Sequence, residues 1–204
     1  MLTSRLPALI AALSLAITFP GFSAEPATAR FTSASVDFSM LIPPGYCPAT
    51  GEVAQWMAER SAKDERNEAK VMLARCGPGI DPTTGMIVVS VARRPAPAGM
   101  TREKMLGLFA DMLKRPDILE KLGQNDPREP KFGEIDDFCI YIEMDVASNA
   151  AGVPARGVGC MTMVGGQAIT IIKGAFGKSD KDFAQLKREV RAVAGSIAVV
   201  TDGA

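Results

Sequence analysis

The chain has 204 residues, with 23 basic and 23 acidic side chains and no histidine. This balance of charge excludes the strongly basic surface that nucleic-acid binding rewards. The lack of histidine excludes catalytic sites that pair histidine with serine or cysteine, and the usual histidine-ligated zinc sites of hydrolases. A chain of this length suits one domain with a sizeable core.

The first 24 residues predict a secretory signal peptide. Arg5 precedes an apolar run from Leu6 to Phe19, and small residues follow. The run is shorter than the roughly 20 apolar residues that a membrane span needs, which argues against the alternative of an uncleaved anchor. We expect cleavage after residue 24, or alternatively after residue 29. Residues 25–204 are then expected to form a single globular α+β domain that is periplasmic or secreted.

The N-terminal half of that domain predicts a strand, a helix and two further strands. Residues 36–42 alternate in polarity and end at a Pro-Pro-Gly turn. Thr50 can cap a helix that runs to about Arg66, with Trp56 on its inner face. The segments KVMLARC and MIVVSVARR are expected to be strands, the second because of its β-branched centre.

The C-terminal half predicts two helices, a meander of three strands and a closing helix. Met105, Leu108 and Phe109 belong to an apolar stripe at helical spacing, and Pro116 can open a short second helix. Gly165-Gly166 offers a two-residue hairpin turn within the meander. The buried stripe of the closing helix is expected at Phe183, Leu186, Val190, Val193 and Ile197. The fold class predicted is α+β: a largely antiparallel sheet with a C-terminal meander, packed by three to four helices.

Four cysteines, an even number in an exported chain, predict two disulfides. The favoured pairing joins Cys139 to Cys160, which leaves Cys47 to pair with Cys76 across the first helix. No C-x-x-C motif and no zinc-ligand spacing is present, so we interpret all four cysteines as structural.

The favoured pairing rests on the register of one predicted hairpin. If FCIYIEMDV and RGVGCMTMV pair around residues 149–150, Cys139 lies opposite Cys160 and Glu143 lies opposite Arg156. A cross-strand disulfide and an opposite-charge pair thus follow from a single register.

One face of this hairpin is expected to point to the protein interior and to be covered by a helix. On that face Gly157 and Gly159 leave room for a close approach. The apolar residues assigned to it are Phe138, Ile140, Ile142, Met144, Met161, Met163 and Ile172. The opposite face, which carries Glu143 and Asp145, is expected to be solvated.

The strand that ends in IPPGY and the long closing helix resemble the Mog1/PsbP-like family of αβα sandwiches. In that family an extended segment also ends in a proline-led turn and an aromatic residue, and a long helix completes the domain. The resemblance covers the order of elements and includes neither a catalytic motif nor the cysteines. It implies an αβα sandwich and favours a binding or assembly module over an enzyme.

Candidate catalytic groups are limited to carboxylates, because P-loop, dinucleotide-binding and nucleophile-elbow motifs are all absent from the sequence. The densest acidic cluster is Glu134, Asp136 and Asp137. Glu143 and Asp145 follow and share a strand face, so a paired-carboxylate site is geometrically possible. The alternative interpretation is a solvated face with cross-strand ion pairs.

No metal and no cofactor are expected. Met161 and Met163 are of the residue type that binds Cu(I), but methionine also fills cores. Arg5 is the only charged residue in the predicted signal peptide, so the mature chain keeps 22 basic and 23 acidic side chains. This balance gives no reason to expect nucleic acid or an anionic membrane surface as a partner.

The function expected from these observations is a non-catalytic periplasmic or secreted accessory module. Its expected partner is a protein or a small apolar ligand of the cell envelope, with no stable membrane anchor after signal cleavage. The alternative is a carboxylate-dependent envelope hydrolase that uses Glu143 and Asp145.

Overall fold

The computed structural model describes residues 27–77, 85–121, 131–146, 155–176 and 183–201. The predicted signal peptide lies outside these ranges. The helices are α1 (Gly51–Lys63), α2 (Arg102–Met112), α3 (Pro116–Lys121) and α4 (Phe183–Gly195). The strands are β1 (Thr28–Ser33), β2 (Val36–Leu41), β3 (Tyr46–Pro48), β4 (Asn67–Arg75), β5 (Met86–Ala92), β6 (Lys131–Ile135), β7 (Ile140–Val146), β8 (Ala155–Val164), β9 (Gln167–Phe176) and β10 (Ala198–Val199). No helix in the described ranges is long and apolar enough to cross a membrane.

The strands form two antiparallel sheets. The large sheet has the order β3-β4-β5-β9-β8-β7-β6, and the small sheet has the order β1-β2-β10. Strands β6 to β9 are consecutive neighbours, so the C-terminal meander is confirmed, and β6 adds a fourth strand to the three expected. The α+β class with a largely antiparallel sheet is confirmed as well.

The main core lies between one face of the large sheet, the small sheet and α4. Alternation along β5 defines this face: Ile87, Val89 and Val91 are buried, whereas the residues between them are half-buried. Helix α4 contributes Leu186 and Val190, as its apolar stripe predicted. We call this side of the large sheet the core face.

A second, smaller core lies on the other side of the large sheet, beneath α2. There Met105 and Leu106 of α2 cluster with Ile140 and Met163 of the sheet. Helices therefore pack on both sides of the sheet, which gives the three layers that the family resemblance implied. We call this second side the open face, because its central strands carry half-buried side chains.

The two expected disulfides are both present: Cys47–Cys76 and Cys139–Cys160. The hairpin register from which the second was inferred is wrong by two residues, because Tyr141 rather than Cys139 lies opposite Cys160. The ladder of β7 begins one residue after Cys139, so this cysteine belongs to the tight β6–β7 connection. From there its Cα still lies 5.2 Å from that of Cys160. A shift of two residues leaves every side chain on the same face.

The expected Glu143–Arg156 pair is also wrong. In the ladder Glu143 lies opposite Val158, and Arg156 lies opposite Asp145. The face expected to be solvated is the core face, where Tyr141 is only 3% exposed beneath α4. The alternation of residues along β7 did not identify the core face, because both faces of this strand carry apolar residues and each face packs against helices.

Two helices present other faces than expected. Trp56 is 44% exposed rather than turned inward. Helix α1 ends at Lys63, and the next residue, Asp64, accepts the backbone N–H groups of Arg66 and of Asn67, the first residue of β4. Leu108 is 59% exposed, since α2 rests on the sheet through its first turns. Arg102 fixes this contact by donating from Nε to the carbonyl oxygen of Met163 at 3.3 Å.

Candidate functional site

The acidic cluster of the β6–β7 connection is organised around Asp136. Its Oδ1 accepts the backbone N–H groups of Phe138 and Cys139, at 2.8 and 2.6 Å. Its Oδ2 accepts the Tyr141 hydroxyl and the Nε–H of Arg191, both at 2.9 Å. One carboxylate therefore fixes the turn, the first residues of β7 and the position of α4.

These contacts set the protonation states in the cluster. Partial burial raises the pKa of Asp136, but the two backbone N–H donors and the Arg191 guanidinium outweigh it, so the pKa lies below its ordinary value. Burial and the adjacent carboxylate raise the pKa of Tyr141. Hydrogen bonds to Asp136 and Asp137 raise the pKa of Arg191. At neutral pH the carboxylate is charged and the phenol is neutral, which suits a structural role.

The two carboxylates expected as catalytic candidates, Glu143 and Asp145, lie on β7. Oε1 of Glu143 is 2.7 Å from Nζ of Lys187 on α4, and Oε2 of Glu134 is 3.5 Å from the same nitrogen. Burial lowers the pKa of Lys187, but the two carboxylates raise it by more. The Asp145 side chain lies outside the described part of the chain; its backbone faces Arg156. Glu143 thus joins sheet to helix, and its catalytic role stays a hypothesis.

The same connection also links the helices on the two sides of the sheet. The ring of Phe138 lies between two guanidinium groups, with Cζ of Arg102 from α2 at 3.9 Å and Cζ of Arg191 from α4 at 5.4 Å from its centroid. Arg191 also donates to Asp137 at 2.7 Å. The arrangement is a brace, because the described acids of the cluster each contact a cation.

A buried ion pair supports the core face farther along the sheet. Lys173 of β9 is 4% exposed and pairs with Glu189 of α4, and its Nζ lies 4.9 Å from the ring centroid of Tyr46. Such a pair is retained only when both charges are compensated. We therefore assign Lys173 to the packing of α4 on the sheet.

The open face presents an apolar row across five strands. In the ladders Met72 lies opposite Val88, Val88 opposite Ile172, Ile172 opposite Gly159, and Gly159 opposite Ile142. The four side chains are half-buried. Among the described residues they belong to neither the main nor the second core. The row is therefore an apolar surface outside both described cores.

The next row on the open face carries two glycines between two methionines. Met86 lies opposite Gly174, Gly174 opposite Gly157, and Gly157 opposite Met144. A Cβ on Gly157 would lie 2.7 Å from the carbonyl oxygen of Lys173 and 3.0 Å from the Met144 methyl group. Gly157 is thus required by the close approach of β8 to β9.

The helix expected over Gly157 and Gly159 is not found among the described elements. Helix α4 packs on the core face, and α2 packs on Ile140 and Met163 farther along the strands. A Cβ on Gly159 would meet its neighbours only at ordinary contact distances of 3.5 to 3.6 Å. The glycines instead lie beneath neighbouring side chains, since the Met144 methyl group is close to Gly157 and Gly174, and the shallow apolar area around them is what we call the sheet groove. Its floor is Gly157, Gly159 and Gly174, and its walls are Met72, Met86, Val88, Ile142, Met144 and Ile172.

The sheet groove can recognise a ligand only through apolar contacts. Strands β5, β9, β8 and β7 each have a neighbour on both sides, so their backbone groups are committed to the sheet. This arrangement excludes the addition of an extended peptide as a further strand. Methionine side chains adapt to partners of different shape. The groove suits a partner whose own polar groups are already satisfied, such as the apolar face of a helix or a small apolar molecule.

Two other features of the described residues are less specific. A shallow depression of about 420 Å³ on the outer side of α2 is lined by Met100, Lys104 and Leu108 with small neighbours. In the ranges that the structure covers, no group of three or more histidine, cysteine, aspartate or glutamate side chains is arranged to hold a metal. Met163 is buried in the second core, where it packs against apolar residues.

Sequence reasoning missed most of the sheet groove and both cationic partners of the acidic cluster. A pattern in the sequence could have indicated the groove: Met72, Met86 and Val88 alternate with the buried residues of two adjacent strands. A pattern could also have indicated Lys187 and Arg191, since they lie four residues apart on the closing helix. Neither pattern indicates which face of the large sheet α4 covers.

No family model and no curated protein matches the chain. A crystal structure of a protein from Bacteroides thetaiotaomicron VPI-5482 is 13% identical to this chain, with a TM-score of 0.46. The match covers 87% of this chain and 49% of the Bacteroides protein, so this chain spans about half the length of that protein. The solution structure of cyanobacterial PsbP (CyanoP) from Synechocystis sp. PCC 6803 is 12% identical, with a TM-score of 0.42 over 90% of this chain and 99% of its own. The second likeness agrees with the fold-level resemblance seen in the sequence.

Proposed function

We propose that the protein is a non-catalytic accessory module of the cell envelope that binds an apolar partner in the sheet groove. The observation that carries this proposal is the groove itself. Its six wall side chains are partly exposed on the open face, outside both described cores. Contiguous apolar surface of this kind marks binding sites in soluble proteins.

The occupant we propose is the apolar face of a helix from a partner protein. The walls extend from β4 to β7, four strand spacings or about 19 Å at ~4.8 Å each. An α-helix is about 10 Å across with its side chains, so one helix can lie on this area and contact the side chains of the row. A helix satisfies its own backbone groups, which matches a floor whose backbone is fully paired. A helix laid on this floor would complete the layer that α2 begins on the same face.

Location in the periplasm or outside the cell is part of the proposal. Two disulfides support it, since such bonds persist in oxidising compartments. The predicted signal peptide supports it independently. N-terminal sequencing of the exported protein should find Glu25 or Arg30 as the first residue, whereas an intact Met1 in a membrane fraction would contradict it.

The alternative function, a hydrolase that uses Glu143 and Asp145, makes a different prediction. Its mechanism would need Glu143 free to act on a substrate, whereas its Oε1 contacts Lys187 at 2.7 Å. We expect no turnover of a panel of peptide, ester and glycan substrates of the envelope. Turnover that is lost in Glu143→Gln would replace the binding proposal with the enzymatic one.

Titration of a designed helical peptide tests the binding proposal. The probe is an 18-residue peptide with leucine at i, i+3, i+4 and i+7 and lysine elsewhere, and the control probe has the same composition in scrambled order. We expect saturable binding of the helical peptide alone. Combining Ile172→Thr with Val88→Thr keeps β-branched side chains but adds two hydroxyl groups to the groove, and should weaken binding about tenfold or more. Leu108→Thr, on the outer side of α2, is the matched control and should change nothing.

Two results would contradict the helix proposal. One is no binding by the folded, oxidised protein. The other is binding that Leu108→Thr weakens as much as the double groove variant. If the groove instead takes up a naphthalene-sulfonate dye but not the helical peptide, the occupant is a small apolar molecule rather than a helix.

A further inference from the structure

The two disulfides occupy opposite environments. Cys139 and Cys160 are 0% exposed and belong to the main core beneath α4. Cys47 and Cys76 are exposed at the edge of the large sheet, where β3 has only β4 as a neighbour. A reductant can therefore approach one bridge without any opening of the fold, whereas the other requires removal of α4.

We propose that Cys47–Cys76 is a thiol–disulfide exchange site for an external dithiol, and that Cys139–Cys160 is a permanent brace. The inference is independent of the proposed binding function. It assigns to Cys47 and Cys76 a chemical role beyond the structural one that their number and spacing predicted.

The exchange proceeds in two balanced steps. A thiolate of the dithiol attacks one sulfur of the bridge, which forms a mixed disulfide and releases the other cysteine as a thiolate. The second thiol of the dithiol then attacks the dithiol's other sulfur, which is bonded to the protein in the mixed disulfide. This attack releases the remaining cysteine as a thiolate. The bridge gains two electrons and two protons, and the dithiol loses the same and closes to its own disulfide.

The fold holds the two cysteines together after reduction. Tyr46, beside Cys47, is only 6% exposed, and the Arg75 guanidinium lies 4.5 Å from its ring centroid. The backbone N–H of Cys76 donates to the carbonyl oxygen of Gly45 at 3.0 Å. These contacts do not involve sulfur, so β3 stays paired with β4 and the bridge can form again.

This geometry also selects a dithiol over a monothiol. In a mixed disulfide with a monothiol, the freed cysteine remains next to the bond that was just formed, because the Cα atoms of Cys47 and Cys76 are held 5.1 Å apart in the oxidised protein. The freed thiolate then expels the monothiol and restores the bridge. A second thiol on the reductant competes with this reversal.

Timed reduction of the mature, oxidised protein tests the proposal. The protein is exposed to dithiothreitol in native buffer, quenched with an alkylating agent and analysed by peptide mapping. We expect Cys47 and Cys76 to be alkylated at least about tenfold faster than Cys139 and Cys160, because thiol exchange follows access to sulfur. Circular dichroism should stay unchanged over the fast phase, and replacing the reductant with glutathione disulfide, which takes up the two electrons and two protons, should restore the bridge.

Two comparisons make the test decisive. Low urea should accelerate reduction of Cys139–Cys160, which needs opening of α4, and leave the rate at Cys47–Cys76 within about twofold. Glutathione at equal thiol concentration should reduce Cys47–Cys76 more slowly than dithiothreitol. Equal rates at the two bridges, or loss of Cys47–Cys76 only together with global unfolding, would overturn the inference. Equal rates with glutathione and dithiothreitol would overturn the selection of a dithiol.

Discussion

Asp136→Ala should destabilise the protein more than any other single change in the acidic cluster. The substitution leaves the hydroxyl of Tyr141, a residue that is 3% exposed, without its acceptor, which costs about 1–3 kcal/mol. The backbone N–H groups of Phe138 and Cys139 also lose a charged acceptor, although water can replace part of it. We expect a loss of about 2–4 kcal/mol in the free energy of unfolding.

The measurement is urea unfolding of the oxidised protein, followed by far-ultraviolet circular dichroism. Fluorescence is a poor reporter, because the single tryptophan, Trp56, is 44% exposed in the folded state. Asp137→Ala is the matched control: its side chain is 85% exposed and pairs with Arg191, which is 44% exposed, so the urea midpoint of this variant should barely move. If the two variants lose the same stability, Asp136 does not organise the β6–β7 connection.

Low pH should remove the contribution that the Asp136 carboxylate makes to the free energy of unfolding. Its pKa in the folded protein lies below the ordinary value of 3.8, so its contribution is fully present above 3.8 and is lost as the pH falls through the folded-state pKa. The stability difference between the unchanged protein and Asp136→Asn should therefore shrink between about pH 4 and pH 2, and a constant difference would contradict this. Glu189→Gln should lower the free energy of unfolding in urea by about 3–5 kcal/mol, because it removes the carboxylate that pairs with the buried Lys173 ammonium. Adding Lys173→Met to this variant should recover most of the loss. Gly157→Ala should lower the thermal midpoint while Gly159→Ala leaves it nearly unchanged, and similar midpoints would refute the close approach of β8 to β9.

The secondary structure could be predicted where local pattern and turn chemistry agree. The β-branched centre of β5 forms the expected strand, and the 3.6-residue stripe of α4 is buried as expected, whereas Ile172 of β9, expected in the interior, is half-buried outside both cores. The β8–β9 turn was predictable because both Gly165 and Gly166 adopt positive φ, which glycine does at little cost. The β1–β2 turn places Ala34 and Ser35 at positive φ, which their residue types do not predict, and β1 was missed.

The assignment of sheet faces could not be read from the strands alone. Strand β7 carries Ile140 and Ile142 on one face and the buried Tyr141 on the other, so its period of two has no single apolar side. The choice depends on where α4 docks, and that contact is distant in sequence. Lys173 shows the same limit, since its burial depends on a partner carboxylate from α4.

The disulfide pairing was predictable although its register was not. A cysteine just before one strand and a cysteine within the next can be bridged in registers that differ by two residues, because both registers keep the sulfurs on one face. The actual register is set by Asp136, whose hydrogen bonds to Phe138 and Cys139 hold the chain in a turn up to Ile140. Such a turn depends on a side chain rather than on strand polarity.

Chemical-shift mapping with the 18-residue leucine–lysine helix tests the central claim, that the sheet groove is the binding surface, most directly. Backbone amide signals are followed in the oxidised protein as the peptide is added. The account predicts saturable shifts concentrated at Val88, Ile142, Gly159 and Ile172, across the middle of the open face, with the signals of α4 unchanged. Shifts centred on Glu143 and the β6–β7 connection, or no saturable shifts at all, would contradict it.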